Sequence, residues 1–326
     1  MKILLAVLSL AVACGPPKSA MYSQAAPPAL QKYDLRVFSG RHANGALVVS
    51  FLLGGKQAIS SGVDDTARIW NVPSGTEAKK YSGKQFHFQS IAFSASGDLA
   101  LTPAPDGSVS YWNIETGQTQ RKFSGSANGL GAVALSSDGK WAAAGGQDTS
   151  IYVWDLSATA ASSSRRLDVD GAVVQLAFHS SNQGISAVLG DGRLCEWTRD
   201  HAKPVRCSTA ISEPASHAAF SADGHRALIG SSYGTLVLWD VDRAAEIRKL
   251  EGSQGDIVAL AFSPTGNFAL SGGADKTVRL WDVDAGRQIS STRATGDYVS
   301  SVAFAPDENA ALFGSSDGSI TLWQLK

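Results

Sequence analysis

The sequence has few charged residues and no run of like charge. Charged residues make up 17% of the 326-residue chain, and 28 Lys and Arg are balanced by 29 Asp and Glu, for a formal net charge of −1. A basic stripe that binds nucleic acid, or an acidic tail, would appear as a local excess of one sign. We therefore expect no nucleic-acid partner.

The sequence also lacks the short motifs that mark catalytic and cofactor sites. It contains no nucleophile elbow, no phosphate-binding loop, no histidines at metal-ligand spacing and no paired-carboxylate motif. The adjacent Asp64 and Asp65 supply too few oxygens for a cation cage. We expect no catalytic residues, no metal and no cofactor. An enzyme site assembled from loops far apart in the sequence is the exception, because it would leave no local motif.

The N-terminal apolar run, residues 3–13, is too short to span a bilayer, which takes about 20 residues. It follows Met1-Lys2 and has the length of a secretory signal core. Residues 10–14 read LAVAC, which resembles the lipobox of bacterial lipoproteins, where the cysteine is lipidated and becomes the new N-terminus. The alternative is an ordinary cleaved signal in which Cys14 is incidental.

The lipobox resemblance implies a three-part chain. Residues 1–13 are the signal peptide, residues 14–31 a lipidated linker rich in Pro and Ala, and residues 32–326 the folded domain. Several acyl chains would anchor the protein to a membrane that it does not span. The implied location is the bacterial cell envelope, and in a Gram-negative cell the outer membrane, because Gly15 and not Asp follows the cysteine.

The folded part is built from an internal repeat. Seven of the eight tryptophans are 42 or 43 residues apart, each in a short run with apolar residues at every second position: Trp70, Trp112, Trp154, Trp197, Trp239, Trp281 and Trp323. Such runs are strands, and four strands per unit of about 42 residues is the period of a propeller blade. We expect each repeat tryptophan to pack between neighbouring blades.

A turn residue stands six positions before each of these tryptophans. It is aspartate in six repeats, at Asp64, Asp106, Asp148, Asp191, Asp275 and Asp317, and Tyr233 in the fifth. An aspartate at this point accepts a hydrogen bond from the backbone amide two residues further on and thereby stabilises a tight hairpin.

With these residues in place, the chain resembles the WD-repeat family over roughly residues 33–326. The family dipeptide occurs at 154–155, 239–240 and 281–282. The resemblance implies a hydrogen-bond network of histidine, serine, turn aspartate and tryptophan in each blade. Only Ser60 and Ser271 occupy the serine position, and His42 and His87 are the nearest histidines, so we expect the network to be incomplete in most blades.

The last repeat ends directly after its tryptophan strand and lacks an outer strand of its own. Residues 33–40 match the outer strands of the other repeats, for example residues 119–125. The expected fold is therefore all-β, a seven-bladed WD-repeat β-propeller in which an N-terminal strand completes the last blade and removes two open sheet edges.

Two further cysteines, Cys195 and Cys207, flank the fourth repeat tryptophan. They lie about symmetrically around a predicted hairpin loop near His201, and an exported compartment favours oxidation. They are either a disulfide across two strands or two buried free thiols.

The WD-repeat resemblance also implies where partners bind. Members of the family usually bind proteins on the face that carries the loops between blades and the aspartate turns. The residues in those loops are Arg41, His42, Phe86, His87, Phe88, Tyr233, Asp256 and Tyr298. We expect a non-catalytic scaffold for unidentified protein partners. A small-molecule or glycan-binding module over the central channel is the alternative, and a propeller enzyme a third possibility.

Deleting residues 33–39 is expected to lower the melting temperature of the whole domain, because the deletion reopens two sheet edges. Thermal unfolding followed by circular dichroism measures this. A seven-residue deletion within the linker, residues 21–27, is the control. A melting temperature equal to that of the intact chain would contradict closure by the N-terminal strand.

Overall fold

The computed structural model describes residues 34–125, 129–158, 164–179, 181–252 and 255–325. The predicted signal peptide, Cys14 and the Pro/Ala-rich linker lie outside these residues. Over the described part, the strands form seven four-stranded antiparallel sheets. This confirms the predicted all-β, seven-bladed propeller.

Blades 1 to 6 each consist of four strands that follow one another in the sequence, from the innermost strand at the channel to the outermost. Blades 1 to 4 consist of β2 (Ala46–Phe51), β3 (Gln57–Gly62), β4 (Thr66–Asn71) and β5 (Thr76–Ser82); β6 (Ala92–Phe93), β7 (Leu99–Pro103), β8 (Ser108–Asn113) and β9 (Thr119–Ser124); β10 (Leu130–Leu135), β11 (Trp141–Gly146), β12 (Ser150–Asp155) and β13 (Arg165–Asp168); and β14 (Val173–Phe178), β15 (Gly184–Leu189), β16 (Arg193–Thr198) and β17 (Arg206–Thr209).

Blades 5 to 7 follow the same order, with the outermost strand of blade 7 taken from the start of the domain. They consist of β18 (Ala215–Phe220), β19 (Arg226–Ser231), β20 (Leu236–Asp240) and β21 (Ala245–Lys249); β22 (Ile257–Phe262), β23 (Phe268–Gly273), β24 (Thr277–Asp282) and β25 (Arg287–Arg293); and β26 (Val299–Phe304), β27 (Ala310–Ser315), β28 (Ser319–Gln324) and β1 (Leu35–Arg41). One turn of 3-10 helix, Lys84–Phe86, lies between blades 1 and 2.

The ring is closed by pairing the first strand with the last. β1 runs antiparallel to β28, with Leu35 opposite Trp323 and Val37 opposite Thr321. Both strands thereby gain a neighbour, which removes the sheet edge that each would otherwise expose. The predicted closure by an N-terminal strand is confirmed.

The repeat tryptophans lie between blades, and none is more than 5% exposed. Trp70 of blade 1, for example, packs 5.5 Å from the Phe38 ring of β1 and shares a core cluster with Ala303 and Leu312 of blade 7. A buried aromatic of this size removes roughly 150–250 Å² from water. At about 25 cal/mol per Å², each contributes on the order of several kcal/mol, as an upper bound.

A second contact between blades uses one position of each outer strand, the residue paired with the one before the repeat tryptophan. From this position Arg121 of β9 donates to the backbone oxygen of Leu156 in the next blade, at 2.7 Å. Arg206 of β17 donates to that of Asp242 at 2.8 Å. The position is basic in six blades, and its occupants are Arg36, Lys79, Arg121, Arg165, Arg206 and Arg248.

Blade 6 is the exception, and the ends of the chain explain why. It carries Ser290 at this position, paired with Leu280. The cation in each other blade faces the turn that joins the third and fourth strands of the next blade. Blade 7 has no such turn, because β28 and β1 come from opposite ends of the domain. Where the turn is missing, the cation that would contact it is missing too. We call this set of cation-to-turn contacts the clasps.

Blade 2 departs from the repeat at its inner strand. β6 has two residues where the other inner strands have six. The Ala104 amide donates outward to Ser108 at 2.8 Å, so the nitrogen of the preceding Pro103 faces β6. Proline has no N–H to donate, so the inner strand loses a partner at that point. Residues 87–91 consequently leave the strand pairing.

Cys195 and Cys207 lie directly opposite each other on β16 and β17 and form a disulfide. Of the two alternatives left by the sequence, the structure contains the cross-strand bond. It joins the two outermost strands of blade 4, of which β17 has four residues.

Replacing Arg121 with Met is expected to lower the free energy of unfolding by about 1–2 kcal/mol, the usual worth of a hydrogen bond from a charged group. Urea denaturation measures this. Ser290→Ala is the matched control, because Ser290 makes no clasp and its buried hydroxyl has no partner in the described residues. Equal stability losses in the two variants would contradict the role of the clasps.

Candidate functional site

The propeller has two unlike faces. One, here called the loop face, carries the connections between blades and the hairpins between the second and third strand of each blade. The chain enters β1 at the opposite face, since Leu35 pairs with Trp323 near the end of β28 and the hairpin at residues 316–318 precedes that strand. The loop face is therefore free of the chain's entry point.

Several predicted contact residues are accessible on the loop face. The side chain of Tyr233 is 73% exposed and that of Tyr298 is 43% exposed. Arg41 is exposed, and His87 and Asp256 are half-buried. These five residues remain candidates for contact with a partner.

His42, by contrast, is buried, so its predicted role as a surface contact is wrong. Its two ring nitrogens lie 2.9 Å from Asp64 Oδ1 and 2.7 Å from Ser60 Oγ. The Trp70 indole N–H donates to the same Ser60 hydroxyl at 2.8 Å. His42 thus joins the hairpin turn to the core of blade 1. In other blades parts of this network occur, as where Trp281 donates to Ser271 at 2.9 Å.

Phe86 and Phe88 are also buried, at 4% and 0% exposure, and cannot contact a partner. Both pack against Trp112, with ring centroids 5.3 and 6.4 Å away. The prediction placed them on the surface because they precede an apolar strand. The short inner strand of blade 2 instead lets this segment turn inward over the tryptophan.

Four of the six turn aspartates act as the spacing predicts. Asp106, Asp191, Asp275 and Asp317 each accept the backbone N–H two residues further on, at 2.9–3.1 Å.

Asp64 and Asp148 instead accept side-chain hydroxyls, from Thr66 and Tyr152. In blade 5, which has no aspartate at this position, the Ser231 hydroxyl accepts the Thr235 amide at 3.1 Å and donates to Glu213 of the preceding loop at 2.5 Å. The Tyr233 side chain thus makes no hairpin contact of this kind.

The loops of this face are strongly acidic although the whole chain is nearly neutral. Their described residues include two lysines, Lys84 and Lys276, against the acidic set Asp64, Asp65, Asp106, Asp148, Asp170, Asp191, Glu213, Glu251, Asp256, Asp275, Asp297 and Asp317. Cations at the strand ends pair with several of these carboxylates, among them Arg193 with Asp170 and Asp191, and Lys122 with Asp106. The loop face thus keeps a smaller excess of negative charge, which favours positively charged molecules.

Local hydrogen bonds keep several of these carboxylates ionised. The Ser108 hydroxyl and Lys122 lower the pKa of Asp106 to about 2. Arg193 lowers the pKa of Asp170, and the Ser231 hydroxyl lowers the pKa of Glu213. The negative charge of the loop face thus persists well below neutral pH.

A cavity of about 550 Å³ opens at the centre of the loop face, at the mouth of the channel. All seven blades contribute to its wall. Its polar lining residues are Gln89, Ser90, Gln147, Gln175, Ser216, His217, Tyr298, Ser300 and Ser301. Sequence reasoning missed most of these residues, because they are spread over five blades and meet only when the ring closes.

The described part of the chain contains neither a cluster of metal-ligating side chains nor a membrane-spanning helix. No group of three or more His, Cys, Asp or Glu residues there is placed to hold a metal ion. No helix there is long and apolar enough to cross a membrane.

Comparison with known proteins identifies one family. Residues 87–326 match the family described as the IFT122 first beta-propeller. No curated protein matches the chain.

The channel histidine gives a pH-dependent contribution to stability. Burial lowers the pKa of His217 from 6.5, and outweighs the opposing effect of Asp256. The unfolded chain therefore binds more protons, and the stability present above pH 6.5 is lost as the pH falls below that value. His217→Gln is expected to reduce the fall in melting temperature between about pH 7.5 and about pH 5.5.

Calorimetric melting at the two pH values measures this effect. His201→Gln, in an exposed loop of the opposite face, is the control. The prediction is wrong if His217→Gln shows the same fall in melting temperature as the native chain.

Proposed function

The chain belongs to the family of the IFT122 first beta-propeller, and on this premise we propose that it is a non-catalytic platform that binds other proteins through its loop face. The observation that carries the proposal is the pair of exposed tyrosines, Tyr233 and Tyr298, on a rigid surface where Val63 is also exposed. A propeller presents such a surface preformed, so little ordering entropy is lost on binding.

Tyr233 is the stronger of the two anchors. In its blade the Ser231 hydroxyl accepts the hairpin amide that an aspartate accepts in four other blades, and the Tyr233 ring extends 73% exposed from the turn. Tyrosine brings a large rigid contact area with two rotatable bonds, which is why it is enriched at the centres of interfaces.

The acidic loops set the charge of the partner. A protein with a basic patch would be steered to this face, and one with an acidic patch repelled. Rim charges of this kind mainly raise the association rate and give specificity, while the buried aromatic contacts set the dissociation rate. We therefore propose a partner with a basic surface.

Replacing both Tyr233 and Tyr298 with Ala is expected to weaken partner binding by about 10- to 100-fold, since a central aromatic anchor is typically worth 1–2 kcal/mol or more. In-cell crosslinking followed by affinity capture and mass spectrometry identifies the partner, and titration with the purified partner measures the change.

The matched control is Leu53→Ala with Val205→Ala. These side chains are 72% and 66% exposed in loops of the opposite face. A partner that is kept by the tyrosine variant and lost by the control would place the interface on the wrong side and contradict the proposal.

We further propose that Cys14 is lipidated and holds the protein at the bacterial cell envelope. The sequence LAVAC and the Pro/Ala-rich linker support this.

Cys14→Ser is expected to abolish incorporation of a palmitate analogue and to move the protein from the membrane to the soluble fraction, because one cysteine carries the whole anchor. Metabolic labelling and fractionation measure both effects. Cys195→Ser with Cys207→Ser is the control and should keep label and location. A Cys14→Ser protein that stays at the membrane would contradict the lipid anchor.

A further inference from the structure

The cavity at the channel mouth has a polar lining. It has a volume of about 550 Å³, within the range of pockets that bind small molecules. Several of its hydroxyls connect neighbouring blades, as where Ser216 donates to the backbone oxygen of Ile257 at 2.6 Å and Ser301 accepts the Val49 amide at 3.1 Å. The glutamine amides, the His217 imidazole and the Tyr298 side chain are further polar groups of the wall.

The lining is polar without being charged. The described residues that form it include no Asp, Glu, Lys or Arg, but three glutamine amides, from Gln89, Gln147 and Gln175. Burial lowers the pKa of His217, so its imidazole is neutral at physiological pH. Amides, hydroxyls and a neutral imidazole each donate and accept hydrogen bonds.

A groove of about 220 Å³ adjoins the cavity between blades 2 and 3 and shares Gln89, Gly131 and Gln147 with it. The groove lies where Pro103 ends the pairing of the inner strand in blade 2. Gly131 thus lies where the described walls of the two spaces meet.

We propose that the channel mouth is a binding site for a small, neutral, polyhydroxylated ligand of the size of a mono- or disaccharide. Sugar hydroxyls donate and accept at once, as the amides and hydroxyls of the wall do. The 43% exposed Tyr298 ring at the mouth offers an apolar surface for a sugar ring.

Charge selects against other small ligands. An anion would have to pass the acidic loops that surround the mouth. A cation would enter a wall that contains no carboxylate among its described residues, and would lose hydration without a partner charge. A neutral polar molecule is not repelled by the acidic loops and has no charge to dehydrate. Tyr298 belongs both to this site and to the proposed protein-binding surface, whereas Tyr233 does not line the cavity.

Gly131 allows the cavity to be filled without disturbing the fold. A Cβ built at Gly131 meets no atom of the described residues within 4 Å, and this residue lines both the cavity and the groove. Gly131→Leu therefore adds a side chain in the open space of the site. Gly171→Leu adds the same bulk outside the cavity, where a Cβ would approach only Leu189, at 3.9 Å, and is the matched control.

The test is titration of the full chain with glucose, maltose and cellobiose, followed by ligand-observed NMR and calorimetry, with glucuronate and glucosamine as the charged probes. We expect saturable one-to-one binding of at least one neutral sugar. Gly131→Leu should weaken it by about tenfold or more, while Gly171→Leu leaves it unchanged.

Three results would overturn the proposal. They are no saturable binding of any neutral sugar at millimolar concentration, binding that Gly131→Leu leaves intact, or tighter binding of a charged probe than of its neutral counterpart. Unchanged melting temperatures of the two glycine variants would show that a loss of binding arises from the filled cavity and not from unfolding.

Discussion

The pairing of β1 with β28 is the constraint on which the ring depends. Seven sheets arranged around an axis leave one seam that no hairpin crosses, and here strands from the two ends of the domain meet there. The clasps follow from the same arrangement. Basic side chains contact the turn of the next blade wherever a turn exists, and Ser290 stands where the chain ends replace that turn. Closure thus determines both the last blade and the single gap in the clasps.

On the loop face of the closed ring, the same loop positions serve the fold and the proposed binding surface. The hairpin carboxylates of the loop face are needed for its turns, yet their charge remains and gives the face its negative potential. Blade 5 meets the structural need in another way, because the Ser231 hydroxyl accepts the hairpin amide of Thr235 and itself donates to Glu213 of a neighbouring loop. The position released in this way carries an exposed tyrosine. In blade 5, tyrosine in place of the turn aspartate therefore changes the surface of the loop face without changing the fold.

The sequence alone predicts the number of blades and the closing strand because both depend on a strict spacing of tryptophans and on a match between outer strands. It predicts loop contacts less well. Phe86 and Phe88 appear as surface residues until Pro103 is seen to end the inner strand, and His42 until its network with Asp64 and Ser60 is known. The clasp cations stand nine residues after most of the tryptophans, a signal that becomes meaningful only when the next blade is in place. Most of the channel wall could not be predicted, because all seven blades contribute residues to it that are far apart in the sequence.

Closure by the first strand also has a consequence for the order of events during synthesis. β1 emerges from the ribosome before any other strand and its partner β28 emerges last, so at about 5–20 residues per second β1 waits on the order of tens of seconds. Throughout that time its backbone groups can pair with the β28 of another chain as well as with their own. The yield of closed monomers should therefore depend on how crowded the newly made chains are, and exchange of β1 between two copies is the natural error of this fold.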